Sequence, residues 1–260
     1  MIPTGFKGRA KRLDDIDLPK LGATIGVGED EIHAVLDVES RGSGFDKKGR
    51  PLILFEPHKF WRHVGPGEKR DAAVARGLAY QNWKPNSYPP DSYPRLIDAM
   101  AIDETAALKS ASWGLGQIMG ENHKAAGFAT VQEMVAAFCD DEENHLAAMI
   151  EFIKAARLDD DLRRHDWRGF ARGYNGEGYE RNNYHARLER AFARWSRIKD
   201  TPWSPIAAVE ETRLNDPHAP HVTAPPAPAP VAKPAPTPAA PPAPTDTRGF
   251  WRRLLDSIFR

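Results

Sequence analysis

Two glutamates frame the chemistry open to this chain. Ile32, Val35, Leu36 and Glu39 fall at i, i+3, i+4 and i+7, so a helix through them carries all four on one otherwise apolar face. That spacing predicts that Glu39 points inward. Ser40-Arg41-Gly42-Ser43-Gly44 then breaks the helix and leaves the carboxyl in its last turn, beside carbonyls that have no partner within the helix. Burial and the negative end of the helix dipole both favour the protonated form, which is what a general acid needs near neutral pH. A second acid follows. Phe45, the polar turn Asp46-Lys47-Lys48-Gly49-Arg50-Pro51 and the apolar run Leu52-Ile53-Leu54-Phe55 read as a small hairpin that folds Glu56 back toward Glu39. One neutral and one ionised carboxyl can protonate a leaving oxygen and stabilise the centre it leaves, or activate water there. The plainer reading is a capped helix with two surface glutamates.

These acids need a scaffold, and most of the chain can supply one. Residues 13–195 hold nearly all the aliphatic and aromatic residues, enough for one compact domain with a core. The pattern after the hairpin is mostly helical, with one or two short helices over 57–80 and a proline-rich loop over 81–94. Residues 95–110 read as one helix, Thr130-Val131-Gln132-Glu133 as a capping box, and 141–157 as a long helix with Leu146, Met149, Ile150 and Ile153 at core spacing. Asp166 can cap a further helix, and Tyr184, Leu188, Phe192 and Trp195 stripe the last one. The expected fold is therefore α+β and mainly α-helical, with one small β-hairpin.

Two more clusters stand out from an ordinary core. Ser112-Trp113-Gly114-Leu115-Gly116-Gln117-Ile118-Met119-Gly120 crowds three glycines around an indole and an amide. Such a segment suits a wall for a sugar chain, whose hydroxyls need hydrogen bonds and whose CH faces stack on aromatic rings. A tight helix crossing that needs small residues accounts for it equally well. Tyr174-Asn175-Gly176 offers donors and acceptors at a helix end, or simply an Asn-Gly turn.

Taken together, Glu39-Ser40 with Gly44-Phe45, the 112–120 segment and Tyr174-Asn175-Gly176 resemble, in order and rough spacing, the lysozyme-like superfamily of goose-type lysozymes and lytic transglycosylases. With Leu54-Phe55-Glu56-Pro57-His58-Lys59-Phe60 included, residues 14–195 look like the phage N-acetylmuramidase endolysins. The resemblance implies a lysozyme-like domain and hydrolysis of the β-1,4 bond between N-acetylmuramic acid and N-acetylglucosamine in peptidoglycan. It also implies Glu39 as general acid, Glu56 as second carboxylate, and Gln117, Trp113, Tyr174 and Asn175 along the glycan cleft or orienting Glu39. A lytic transglycosylase, which has no task for a second acid, and a non-catalytic wall-binding module are the alternatives.

Composition limits the remaining classes. With 36 basic and 36 acidic residues there is no bulk charge to attract nucleic acid. No metal or other cofactor is expected: none of the nine histidines pairs with acids at HExxH spacing, and His58 and His63 read as solvated or packing residues. The single Cys139 reads as a small buried hydrophobe. The first residues lack the apolar core of a secretory signal, so the expectation is a monomer made in the cytoplasm that reaches the periplasmic wall through another factor.

The organisation expected is a catalytic domain over 1–200, an extended linker over 201–244 and a basic amphipathic helix over 245–260. Of the 26 residues in 219–244, 11 are proline, so this stretch is too poor in large apolar groups for a core and favours extended polyproline II. Over 248–260, Phe250, Trp251, Leu254, Leu255, Ile258 and Phe259 share a face set against Arg252, Arg253 and Arg260. That pattern suits an anionic membrane or lipopolysaccharide, or alternatively a helix that docks on a protein.

Overall fold

The computed structural model describes residues 1–205 apart from 41, 86 and 177, and it does not describe the side chains of Glu39 and Arg181. Of the linker expected from sequence only residues 201–205 are described, and the terminal amphipathic helix lies outside the described residues. The chain opens with α1 (Asp17–Ala23) and α2 (Glu29–Glu39), then β1 (Ile53–Phe55), α3 (Pro57–His63) and α4 (Glu68–Ala75). Next come α5 (Tyr93–Met100), α6 (Glu104–Lys109), β2 (Ala111–Trp113) and β3 (Ile118–Met119). The rest is helical: α7 (Val131–Asp140), α8 (Glu142–Ala155), α9 (Asp159–Arg163), α10 (Trp167–Asn175) and α11 (Tyr184–Trp195). No helix among the described residues is long and apolar enough to cross a membrane.

Local chemistry explains where the helices begin. The Thr130 hydroxyl accepts the Glu133 N–H while the Glu133 carboxylate accepts the Thr130 N–H, the reciprocal box expected at the start of α7. Asp141 caps α8 through the Glu143 N–H, and Asp166 caps α10 through the Gly169 N–H. The single helix expected over 95–110 is in fact two. Asp103 leaves helical geometry (φ −157°) and its carboxylate caps α6 by accepting the Ala106 N–H at 2.9 Å. An Asp gains more from capping a new helix than from sitting inside an old one.

The sheet also departs from the expected hairpin. Residues 45–51 do close a turn, with an isolated bridge between Phe45 and Pro51 and the Asp46 carboxylate accepting the N–H groups of Lys48 and Arg50. β1, however, takes its partner from far along the chain. It pairs antiparallel with β2, Ile53 opposite Trp113 and Phe55 opposite Ala111, and β2 pairs in turn with β3, giving a three-stranded sheet in the order β1-β2-β3. The glycine-rich 112–120 segment is thus the β2–β3 hairpin and the turn after it.

The core joins this sheet to the helices. Leu96, Leu108, Trp113, Met134, Phe138, Leu146, Ile153 and Phe170 have no measurable exposure, and each large apolar side chain buried this way contributes about 1.5–3 kcal/mol. Cys139 belongs to the same core, and burial pushes its thiol up to about 12. The widest helix contact is α2 on α11, which matters because α2 ends on Glu39.

Candidate active site

Glu39 is the last residue of α2, and the backbone on either side of it is held. The Ser40 N–H donates to the Leu36 carbonyl at 2.8 Å, and Arg187 Nη2 of α11 donates to the Val38 carbonyl at 3.3 Å. A cation at this end offsets the partial negative charge of the last carbonyls. Further up, the rings of His33 and Trp195 stack 3.7 Å apart, and Asp37 accepts both the Trp195 indole N–H at 2.6 Å and Arg194. The stripe to which Glu39 belongs by spacing is packed: Ile32 and Val35 are each 1% exposed and Leu36 is partly buried. The expected inward direction of the Glu39 carboxyl falls outside what is described.

The loop that follows is pinned by a carboxylate far away in sequence. Glu142, in the first turn of α8, is 1% exposed. Its Oε1 accepts the Gly44 N–H at 2.6 Å, and its Oε2 accepts the Leu13 N–H at 3.1 Å and Arg12 Nε at 2.8 Å. Gly44 also lies against the ring of His145, so a Cβ there would come within 2.3 Å of Nδ1. His145 is itself buried and doubly bonded: Nδ1 accepts the Leu115 N–H, so Nε2 carries the proton that goes to the Phe138 carbonyl. Burial lowers its pKa to about 4 and keeps it neutral.

Glu56 follows β1 and precedes α3, and it is no surface glutamate, being 1% exposed. Its N–H donates to the Ser110 carbonyl, and Oε2 accepts the Tyr88 hydroxyl at 2.5 Å. Tyr88 in turn accepts the Trp83 indole N–H at 2.8 Å. His58 Nδ1 lies 3.1 Å from the same Oε2, at ion-pair distance but not aligned as a hydrogen bond. Burial, and then the charge of Glu56, push the Tyr88 phenol well above its ordinary range. Tyr88, Trp83, Arg12 and Glu142 were not singled out from sequence. An indole and a phenol five residues apart in a proline-rich loop were the one visible signal.

The glycine-rich segment serves packing. Trp113 is fully buried, its indole N–H donates to the Leu108 carbonyl at 3.0 Å, and its ring lies against Phe6. It therefore offers no face to a sugar, and its expected place on the cleft wall is corrected to a core position. Gly116 and Gly120 are small because Met149 and the Leu108 carbonyl lie where a Cβ would project, at 2.8 and 2.1 Å. Gln117, partly buried, adopts a left-handed backbone (φ 47°) and its amide serves the hairpin. Oε1 accepts the Ser112 hydroxyl at 2.9 Å, and Nε2 donates to the carbonyls of Gly114 at 2.8 Å and Leu52 at 3.2 Å.

Tyr174 and Asn175 close α10 at 2% and 6% exposure. The Tyr174 ring packs on Phe170 and edge-on to Phe152, so its bulk belongs to the core. Each was expected either to line the glycan cleft or to orient Glu39, and this burial leaves little of the Tyr174 ring for broad contact with a sugar.

Known proteins with this arrangement can now be named. The family model described as Muramidase, N-acetylmuramidase, matches residues 29–196. Among solved structures, the crystal structure of Burkholderia AP3 phage endolysin superposes with a TM-score of 0.67 at 37% sequence identity, over 72% of this chain and 73% of that one. No match is found among curated proteins. With a match that starts at the first residue of α2 and ends just past α11, the chain belongs to the N-acetylmuramidase family.

Proposed function

We propose that Glu39 and Glu56 are the acid pair of this enzyme, with Glu39 the general acid. Membership of the family makes the chain a glycoside hydrolase that cleaves peptidoglycan. The observation that carries the assignment is the position of Glu39 as the terminal residue of a helix whose last peptide is fixed by Arg187. Glu39 gives its proton to the bridging oxygen of the β-1,4 bond between N-acetylmuramic acid and N-acetylglucosamine as that bond lengthens. Water adds to the oxocarbenium-like centre and gives its proton to the Glu39 carboxylate, which restores the acid. Glu56 is held within the protein by Tyr88, which favours a role through its charge over one as an attacking group. Tyr174 and Asn175 orient Glu39, and Gln117 braces the sheet edge beside the glycan.

Product analysis on purified sacculi tests this. Wild type releases reducing muramic ends free of 1,6-anhydro termini, and Glu39→Gln releases almost none. Anhydro termini, or wild-type release by the variant, would overturn the assignment.

The same reading places the catalytic domain over 1–200, and the first residue after it, Thr201, stays anchored to it through its N–H, which donates to the Glu29 carboxylate at 2.7 Å. Residues 201–244 then act as a linker that carries the basic amphipathic segment 245–260, whose residues 248–260 go to an anionic membrane or lipopolysaccharide. The enzyme acts as a monomer on the periplasmic wall after another factor releases it from the cytoplasm. Deleting 248–260 should weaken binding to anionic liposomes and leave hydrolysis of isolated sacculi intact. Unchanged liposome binding would remove the membrane role.

A further inference from the structure

We propose that Arg12 and Glu142 are positioning residues for Glu39, so that a strap preceding the family match forms part of the catalytic apparatus. The inference rests on the assignment of Glu39 as the acid. Residues 1–28 lie outside the matched span, yet they are built into the domain. Phe6 packs between Tyr93 and Trp113. Lys11 bridges in parallel to Asp141, its N–H donating to the Asp140 carbonyl and its carbonyl accepting the Glu142 N–H, each at 2.9 Å. This fixes Arg12 beside the loop that follows Glu39.

The guanidinium then does two things at once. Nε donates to Glu142 Oε2 at 2.8 Å while Nη2 donates to the Gly42 carbonyl at 2.6 Å. The other oxygen of Glu142 holds the Gly44 N–H and lies 3.5 Å from the Ser43 hydroxyl. Arg12 and Glu142 thereby grip residues 42, 43 and 44, three to five positions after Glu39, from one side. On the other side the Leu52 N–H donates to the Gly44 carbonyl at 2.7 Å. Sealing a loop does not need a buried carboxylate, whose desolvation cancels most of what its partners return. What the arrangement supplies is a fixed exit for the chain from α2, and so a fixed backbone for the acid. A guanidinium can serve two acceptors in fixed directions, whereas an ammonium is a point charge.

The test uses the full chain carrying Arg12→Lys, Arg12→Ala, Glu142→Gln or Glu39→Gln, with kcat, KM, the pH profile of kcat and thermal unfolding measured on each. Arg12 is exposed and Glu142 keeps the Leu13 and Gly44 N–H donors without it, so the Arg12 variants should disturb the fold less than Glu142→Gln does. Arg12→Lys and Arg12→Ala should lower kcat about tenfold or more with KM within about twofold, as expected for a misplaced catalytic group. They should also shift the basic limb of the kcat profile, which a merely structural role would not move. Wild-type kcat and pH profile in both Arg12 variants, whatever their unfolding temperature, would overturn the proposal. Wild-type activity in Glu39→Gln would instead remove the acid assignment itself, and the proposal with it.

Discussion

Tyr88 donates its hydroxyl to Glu56 at 2.5 Å across 32 residues of sequence, and the Trp83 indole backs it at 2.8 Å. The proline-rich segment that carries Trp83 and Tyr88 ahead of α5 is thereby tied to the sheet through a carboxylate that has almost no contact with water. Tyr88→Phe keeps the ring and removes that donor. A buried acceptor left short of a partner costs about 1–3 kcal/mol, so the variant should unfold several degrees lower. Its kcat should fall as well, because the loop and the Glu56 charge shift together. Paired thermal and kinetic measurements check both effects.

Replacing the acid separates chemistry from folding. Glu39→Gln should lower kcat by about 10²–10⁴ while leaving thermal unfolding near that of wild type, because the amide keeps the shape and loses only the transferable proton. Turbidity clearance of sacculi together with calorimetry gives the two numbers.

Stability should fall in two successive acid windows that meet near pH 4. The folded pKa of His145 lies at about 4, below its ordinary 6.5, because burial disfavours the charged ring. Between those values the unfolded chain binds the extra proton, so the stabilisation is complete above pH 6.5 and is lost as pH drops toward 4, about 3 kcal/mol in all. Glu121 acts lower. Burial alone would raise its pKa, but the hydrogen bond from His63 and the charge and hydrogen bond of Lys59 outweigh it and hold the carboxyl at about 2. Its contribution is present above pH 4.5 and drains away as pH falls toward 2. Urea unfolding at pH 7, 5 and 3 follows both, and His145→Gln should flatten only the upper window.

The packing role of the glycine-rich hairpin predicts an intolerant position. Gly120→Ala would set a Cβ 2.1 Å from the Leu108 carbonyl, a backbone atom that cannot swing aside. The expected loss is about 1–3 kcal/mol. Gly178→Ala, where nothing lies within 4 Å, is the matched control and should stay close to wild type in the urea midpoint.

Much of the helical frame was legible in the chain itself, because a helix writes its contacts into neighbouring letters. The caps at Thr130 and Asp166 and the apolar spacing over 141–157 act over three or four residues, and they place α7, α10 and α8. The same local logic put Glu39 at a helix end. It also merged α5 with α6, because Asp103 fits the apolar period and a cap equally well until the backbone turns.

Relations between distant residues were decided by the tertiary structure. The partner of β1 is β2 in place of its own turn, since a strand's hydrogen bonds run sideways to whatever chain lies beside it. That pairing draws Trp113 into the sheet, leaves Gln117 in the turn between β2 and β3, and packs the hairpin against Met149 and His145. Glu142 reads in sequence as one more first-turn acid on a capped helix. Its grip on Arg12, 130 residues earlier, and on Gly44, 98 residues earlier, exists only once folding has brought three separate segments to one carboxylate, because neither charge nor hydrogen bonding leaves any periodic trace along a chain.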